Sequence, residues 1–167
     1  MRTVLFIFFL LLGGSSFAQK YAYINTKYIL EQIPEFNQAQ KELDDLSEQW
    51  QQEVRNKQKV IEEKQVKLDE EKIILPEEIV KKREEEIKQL RQELREYQAA
   101  KFGVKGELFV KRQELIKPIQ DKIYTALIDI VDGRYSFVFD VANQSNIMYA
   151  DPKLDLSDQV LKKMGYN

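Results

Sequence analysis

Apolar residues recur every seven positions through a long, highly charged stretch that runs from Glu35 to about Leu115. Each half of the stretch carries such a series: Val54, Ile61 and Leu68 in the first half, and Val80, Ile87 and Leu94 in the second. Because seven residues make about two helical turns, each series lies on one narrow stripe of a helix. The pattern predicts two long helices that bury one seam and expose the rest of their surface to water.

A short apolar segment, Ile73, Ile74 and Leu75, followed by Pro76, separates the two halves. Proline suits the first turn of a helix because its missing N–H would have no partner there. We therefore predict that a return helix begins at Pro76, giving an antiparallel hairpin with arms of about 35 to 40 residues, or roughly 50 to 60 Å. The apolar tip is either a staple that holds the arms together or an exposed adhesive end. The staple is favoured, because exposed apolar clusters are uncommon without a partner.

Two glycines interrupt the return arm. Gly103 and Gly106 each weaken a helix by about 1 kcal/mol relative to alanine, which predicts a bend or hinge between the arm and the rest of the chain. A Gly-x-x-Gly pair beside lysines also suggests a backbone clamp for nucleic acid, but the acidic balance of the chain favours the hinge. Helical spacing then resumes, Pro118 is expected to kink that helix, and Gly133 is expected to end it.

Short strands and helices are predicted on either side of the charged stretch. Residues 20–24 alternate as a strand does, and Asn25 or Thr26 can cap a short helix after it. Pro34 then marks the start of the first long arm. Near the other end of the chain, Ser157 is expected to cap a last short helix that Gly165 stops.

Between these elements, residues 135–141 alternate as a strand, residues 143–146 form a polar turn, and residues 147–150 are predicted to return as a second strand. One chain therefore supplies about three short strands, too few to cover their own aromatic face. This favours an oligomer whose core contains the apolar residues of the two C-terminal strands: Tyr135, Phe137, Phe139, Val141, Ile147 and Tyr149.

The chain begins with Arg2, a wholly apolar run from Val4 to Leu12, and small residues at Ser16 and Ala18. This order predicts a secretory signal peptide cleaved after Ala18, since the run is much shorter than the roughly 20 residues of a spanning helix. We expect an α+β protein in which residues 1–18 are the signal peptide and residues 34–111 form the helical hairpin. Residues 19–33 and 112–167 would form a β-containing oligomerisation body.

Composition excludes several classes of function. The chain contains no histidine and no cysteine, which removes histidine-based triads, cysteine nucleophiles and the common zinc sites. It has no phosphate-cradling glycine loop with its lysine. Its net charge is −2, or −3 once the only charge of the signal peptide, Arg2, is removed, so a nucleic-acid partner is not expected. We expect no enzymatic activity, no cofactor and no metal.

The order of these segments resembles the Skp/OmpH family of periplasmic chaperones. The resemblance is carried by five stretches: Tyr23–Leu30, Lys117–Ile123, Tyr135–Phe139, Tyr149–Lys153 and Asp155–Asp158. It implies a homotrimer whose strands join into a small β body, from which three helical hairpins extend as tentacles around a cavity. It also implies a periplasmic, ATP-independent holdase that keeps unfolded outer-membrane β-barrel proteins from aggregating until they insert.

The charge of this chain departs from the strongly basic members of that family. The tip has an acidic segment before Ile73 and two glutamates after Pro76. Binding to lipopolysaccharide or to a membrane surface is therefore not expected. An alternative function that fits the same periodicity and signal peptide is a structural coiled-coil spacer or adaptor of the cell envelope without affinity for unfolded chains.

Overall fold

A computed structural model describes residues 20–143 and 147–166 of the chain. These residues divide into two compact units. One unit contains the described residues up to Gln32 and from Ile123 onward, and the other is Ile33–Lys122. The predicted signal peptide and most of the predicted polar turn lie outside the described residues.

The unit Ile33–Lys122 is built on the long helical hairpin that the sevenfold spacing predicts. Helix α2 is Pro34–Glu71 and helix α3 is Glu77–Phe102, with 38 and 26 residues. Proline occupies the first turn of α2, as predicted, and Pro76 is the residue that precedes α3. The two helices bury one seam, formed by Ile61 and Leu68 of α2 and by Val80 and Ile87 of α3, and Trp50 of α2 packs edge-on against Phe102 at the end of α3. The predicted hairpin is confirmed, but the predicted arm length of 35 to 40 residues is wrong for α3, because the chain is interrupted after Phe102.

A third helix, α4 at Glu107–Val131, begins in the same unit. Its residue Ile116 is buried against Ala39 and Leu43 of α2, and three half-buried side chains pack around them, Phe36, Leu108 and Leu115. Since α3 is twelve residues shorter than α2, the first half of α4 covers the part of α2 that α3 does not reach. The return arm therefore consists of two helices that pack on α2 one after the other.

The interruption between α3 and α4 lies at the two glycines, as the sequence predicts. The Gly103 N–H donates to the Ala99 carbonyl at 2.9 Å, and the Gly106 N–H donates to the Gly103 carbonyl at 2.8 Å. A Cβ atom at Gly103 would lie 2.3 Å from the Ala99 carbonyl oxygen, so the backbone approaches too closely for any other residue. Glycine is thus required here by contact, and a hinge at this place remains a prediction. Helix α4 continues through the exposed Pro118.

The second unit contains strand β1 at Tyr21–Ile24, helix α1 at Thr26–Glu31 and strand β2 at Phe137–Asp140. The strands pair in parallel, with Tyr21 opposite Phe137. The Asn25 side chain caps α1 by accepting a hydrogen bond from the Tyr28 N–H at 3.1 Å. The end of α4 is marked by Asp132 and Gly133, both with positive φ, so the predicted stop is confirmed.

The prediction of a return strand at residues 147–150 is wrong for the described structure, which has no strand there. Both edges of β1 are occupied, so residues 147–150 cannot pair with it, and in the described structure they do not pair with the outer edge of β2 either. One edge pairs with β2, and on the other Tyr23 forms a bridge with Asp155 while its carbonyl accepts the Leu156 N–H at 2.9 Å. Just before Asp155, the chain turns through a short 3₁₀ helix, Pro152–Leu154, which is capped by the Asp151 side chain.

The last helix, α5 at Ser157–Met164, begins and ends near the predicted residues, but the predicted cap is wrong. Ser157 is the first helical residue, and the Asp155 side chain accepts its N–H at 2.8 Å. The Ser157 hydroxyl is buried and instead accepts the Asn25 N–H at 2.9 Å, which ties α5 to the start of α1. Gly165, with φ of 93°, stops the helix as predicted.

Candidate binding surfaces

Ion pairs join the two arms of the hairpin near its tip. Glu71 of α2 accepts a hydrogen bond from Arg83 of α3 at 2.5 Å, and Lys64 donates to Glu86 at 2.7 Å. The Arg83 guanidinium lowers the pKa of the Glu71 carboxyl, and the Lys64 ammonium lowers that of Glu86. Because Glu71 and Arg83 are only partly buried and Lys64 and Glu86 are exposed, the two pairs contribute little to stability.

Two apolar grooves follow the seam on either side of Ile61. One, of about 350 Å³, includes Val66 and Leu94 in its lining, and the other, of about 280 Å³, includes Val60 and Leu90. Val60 and Val66 are 45% and 50% exposed. Six positions separate these valines, which is about 240° around a helix, so the grooves lie on opposite sides of the seam. The hairpin therefore offers apolar surface on two sides within a charged exterior.

The three apolar residues of the tip divide into two kinds. Leu75 packs against the buried cluster that contains Leu68 and Val80. Ile73 and Ile74 are 94% and 81% exposed. The favoured staple is therefore wrong for these two isoleucines, because Leu75 alone joins a seam that is already closed by buried side chains from both arms. Ile73 and Ile74 instead form an exposed apolar end, the less favoured of the two alternatives.

An aromatic and cationic cluster lies beside the glycine interruption, within the unit Ile33–Lys122. The Lys101 ammonium lies 4.7 Å from the centre of the Trp50 ring and donates to Glu107 of α4 at 2.6 Å. The Tyr97 hydroxyl donates to Glu53 at 2.6 Å, and burial together with this hydrogen bond raises the pKa of Tyr97 to about 12. Sequence analysis missed this cluster. Its signal was Lys101, seven positions after Leu94 and so on the apolar stripe itself.

A row of aromatic rings faces solvent in the unit that carries the strands. Tyr21 stacks with Phe137 and with Phe139 at ring-centre distances of 6.0 and 6.5 Å. These three side chains are 44%, 56% and 46% exposed. Sequence analysis included the two phenylalanines in the predicted oligomer core but omitted Tyr21, because nothing local indicates that β1 pairs with β2.

The other residues of the predicted oligomer core differ in exposure. Tyr135, two residues before β2, and Val141, directly after it, are half-buried, whereas Ile147 and Tyr149 are 38% and 82% exposed. The structure thus places Phe137 and Phe139 in one stacked row, and it leaves Tyr149 with most of its surface open to solvent.

Within residues 20–143 and 147–166, no cluster of acidic side chains is arranged to hold a metal ion. None of the helices in this part of the chain has the length and apolar character needed to cross a membrane.

A family profile described as "Outer membrane protein (OmpH-like)" matches residues 20–164, which is most of the chain. The chain belongs to the OmpH-like family. Among solved structures, it is similar to an OmpH-like protein of Caulobacter crescentus CB15 that is named as a "putative outer membrane chaperone". No curated protein matches the sequence significantly.

The similarity to the Caulobacter protein has a TM-score of 0.63 and covers 89% of this chain and 85% of the other, at 11% sequence identity. At that identity the comparison establishes the fold. This OmpH-like chain therefore shares with its structural neighbour an arrangement that includes a long helical hairpin and a small sheet, and the predicted family and fold class are confirmed.

Proposed function

We propose that this OmpH-like protein is an ATP-independent holdase that binds unfolded outer-membrane β-barrel proteins in the periplasm. The observation that carries the proposal is the hairpin of α2 and α3, which keeps its own seam closed and still exposes apolar grooves on both sides. A charged rod with shallow apolar grooves gives an unfolded chain many weak contacts and no deep pocket. Such contacts hold a client without fixing its structure.

The proposal includes a homotrimer formed by the strand-bearing unit. Tyr21, Phe137 and Phe139 form an exposed aromatic row, and a short two-stranded sheet is rarely stable without further cover. Other copies of the same chain would supply that cover, and each copy would bring its own hairpin. Several hairpins around one client would raise the effective concentration of the weak contacts.

The periplasmic location rests on the sequence of residues 1–18, which has the order of a secretory signal peptide. Release without nucleotide rests on the sequence as well, since no phosphate-binding glycine loop is present. The interruption at Gly103 and Gly106, together with Pro118 in α4, would supply the bending that lets a hairpin adapt to clients of different size.

The decisive experiment dilutes a urea-unfolded outer-membrane β-barrel protein into buffer that contains the mature protein. Turbidity and the mass of the complex are measured over a range of ratios. We expect full-length protein to suppress aggregation and to form a soluble complex. A variant that lacks Asn56 to Gln98, with the arms rejoined by a short turn, should keep its oligomeric state and lose protection.

Two outcomes would contradict the proposal. If the full-length protein gives no protection at any ratio, the hairpin does not bind unfolded chains, and a structural spacer of the envelope becomes the better account. If the shortened variant protects as well as the full-length protein, binding does not reside on the distal hairpin.

A further inference from the structure

We propose that Ile73 and Ile74 form a capture point at the hairpin tip for extended apolar segments of an unfolded polypeptide. This inference rests on the proposed holdase function and assigns part of it to a surface outside the grooves. The two side chains are 94% and 81% exposed, more than Val60 or Val66 in the grooves. They are the first apolar groups that a chain approaching the end of the hairpin would meet.

The tip is a formed turn, because its backbone is tied to the end of α2. The N–H groups of Ile74 and Leu75 both donate to the Glu71 carbonyl, at 3.0 and 3.1 Å. The Leu75 side chain is anchored in the buried cluster of the seam. The turn thus holds Ile73 and Ile74 out in solvent without any help from their own side chains. Their exposure is a feature of the folded hairpin.

Charge around the tip argues against two possible occupants. Residues 69–78 contain five carboxylates and a single ammonium group, Lys72, which is paired with Glu84 at 2.7 Å. Just beyond this segment, Lys81 is paired with Glu77 at 2.7 Å and Arg83 with Glu71 at 2.5 Å, which leaves three of the five carboxylates outside these two pairs. A second copy of the tip would bring the same excess of carboxylates, and an anionic lipid surface would bring phosphates. Both approaches place like charges together.

The size of the tip argues against a stable folded partner. A standard interface buries about 800 Å² on each partner, which is far more than two isoleucine side chains present. An apolar contact this small is weak on its own and reverses quickly. Unfolded barrel chains offer many apolar segments, so several tips in one assembly can bind the same chain at once. An extended, uncharged apolar segment is therefore the occupant that fits both the charge and the area.

The test is the double substitution Ile73→Ser with Ile74→Ser in the full-length mature protein. Binding of a fluorescently labelled, urea-unfolded outer-membrane barrel is measured by anisotropy after dilution. We expect about tenfold weaker binding, because the variant loses the part of the isoleucine surface that the client would bury. The thermal unfolding midpoint should not change, because neither side chain contacts the core.

Two matched controls separate the tip from general surface hydrophobicity. Ile73→Leu with Ile74→Leu keeps the apolar surface and should bind as the unchanged protein does. Val104→Ser removes an apolar side chain that is 90% exposed in the same unit but lies at the glycine interruption, and it should also leave binding unchanged. A loss of binding in Val104→Ser as large as in the double serine variant would overturn the assignment to the tip.

The failure of this inference is distinguishable from failure of the proposed function. If the unchanged protein does not bind the unfolded barrel, the holdase proposal fails. If it binds and the double serine variant binds equally well, only the tip assignment fails. Flotation with phosphatidylglycerol vesicles and light scattering of the protein alone complete the test. Vesicle binding or self-association that depends on the two isoleucines would overturn the assignment to unfolded chains.

Discussion

In the unit Ile33–Lys122, apolar side chains of α2 meet those of α3 and α4, and the chain covers its own apolar stripe. In the unit that carries β1 and β2, the Tyr21, Phe137 and Phe139 rings stack with one another and face solvent. The hairpin is thus complete within one chain, whereas the sheet leaves an apolar surface that one chain does not cover. Under the proposed function, further copies of the chain would bind at the sheet, and weakly held clients would bind along the hairpin.

The largest effect is expected from placing a charge in the aromatic row of the sheet. Phe139→Asp removes an aromatic side chain that the proposed trimer would bury, a loss of about 3 to 5 kcal/mol, and adds a carboxylate that would be desolvated. We expect the assembly to dissociate or its strand-bearing unit to unfold. Most of the helical circular dichroism should remain, because α2 and α3 hold each other through their own seam.

Light scattering and circular dichroism together measure this result. Phe139→Leu keeps an apolar side chain at the same position and serves as the control, with the oligomer retained. If the unchanged protein is monomeric, or if the Phe139→Asp variant keeps its oligomer, the aromatic row is not the surface through which copies associate.

A smaller effect is expected within the hairpin. Leu68 is 2% exposed in the seam, so Leu68→Ala should cost about 2 to 4 kcal/mol of unfolding free energy. The loss should appear in the unfolding of the hairpin and leave the oligomeric state unchanged. Val66→Ala, two positions away on the same helix and 50% exposed, is the matched control and should cost well under 1 kcal/mol. If a urea titration gives equal losses of unfolding free energy for the two variants, the seam is not buried on one stripe only.

The hairpin was predictable from sequence because its information is local. Sevenfold spacing assigned Leu68 and Val80 to one stripe each, and the stripes of two neighbouring helices have no other surface to bury against. Pro34 and Gly165 marked element ends for equally local reasons. At the tip the same logic failed, because periodicity cannot say which residues of a turn will face inward.

The sheet was predictable only in part, because its pairing joins distant residues. Alternation located β1 and β2 but could not show that they pair with each other in parallel. It also predicted a strand at residues 147–150, which pair with neither β1 nor β2 in the described structure. The bond from the Asn25 N–H to Ser157, across 132 positions, was invisible for the same reason. The stacking of Tyr21 with Phe137 could therefore be recognised only from the structure.

The glycine interruption can be tested against a glycine of the other unit. Gly103→Ala would place a Cβ atom 2.3 Å from the Ala99 carbonyl oxygen, so we expect a loss of about 1 to 3 kcal/mol in hairpin stability. Gly133→Ala meets no atom within 4 Å but imposes a φ of 68°, which costs about 1 kcal/mol. Thermal unfolding should rank Gly103→Ala as the more damaging. The reverse order would contradict the close approach at Gly103.

The smallest effect is a pH dependence of the hairpin. Arg83 lowers the pKa of Glu71 in the folded chain, and Lys64 lowers the pKa of Glu86. A carboxyl with a lowered folded pKa stabilises the fold at neutral pH, and that contribution is lost as the pH falls through the folded pKa. We expect the thermal midpoint of the hairpin to fall modestly in acid, below the ordinary carboxyl range.

The double variant Arg83→Gln with Lys64→Gln should lose part of this acid sensitivity, since its carboxyls no longer have the lowered pKa. Lys59→Gln, which breaks only a 3.8 Å pair within α2, is the control and should keep the acid sensitivity. If the double variant responds to acid as the unchanged protein does, the pairs between the arms do not contribute.

The parallel pairing of β1 with β2 has a consequence for the order in which the chain folds. Thr26, just after β1, hydrogen-bonds to Asp140, 114 positions later, at 2.7 Å. Closing so long a loop in one step has a large entropic cost. Formation of the hairpin shortens the loop that remains to be closed, because the packing of Leu43 against Ile116 already joins the chain at these two positions. A nascent chain that emerges from its N-terminus can therefore form the α2–α3 hairpin early, while β1 waits for the last quarter of the chain. Under the proposed function, assembly through the aromatic row would be confined to chains that have been synthesised as far as β2.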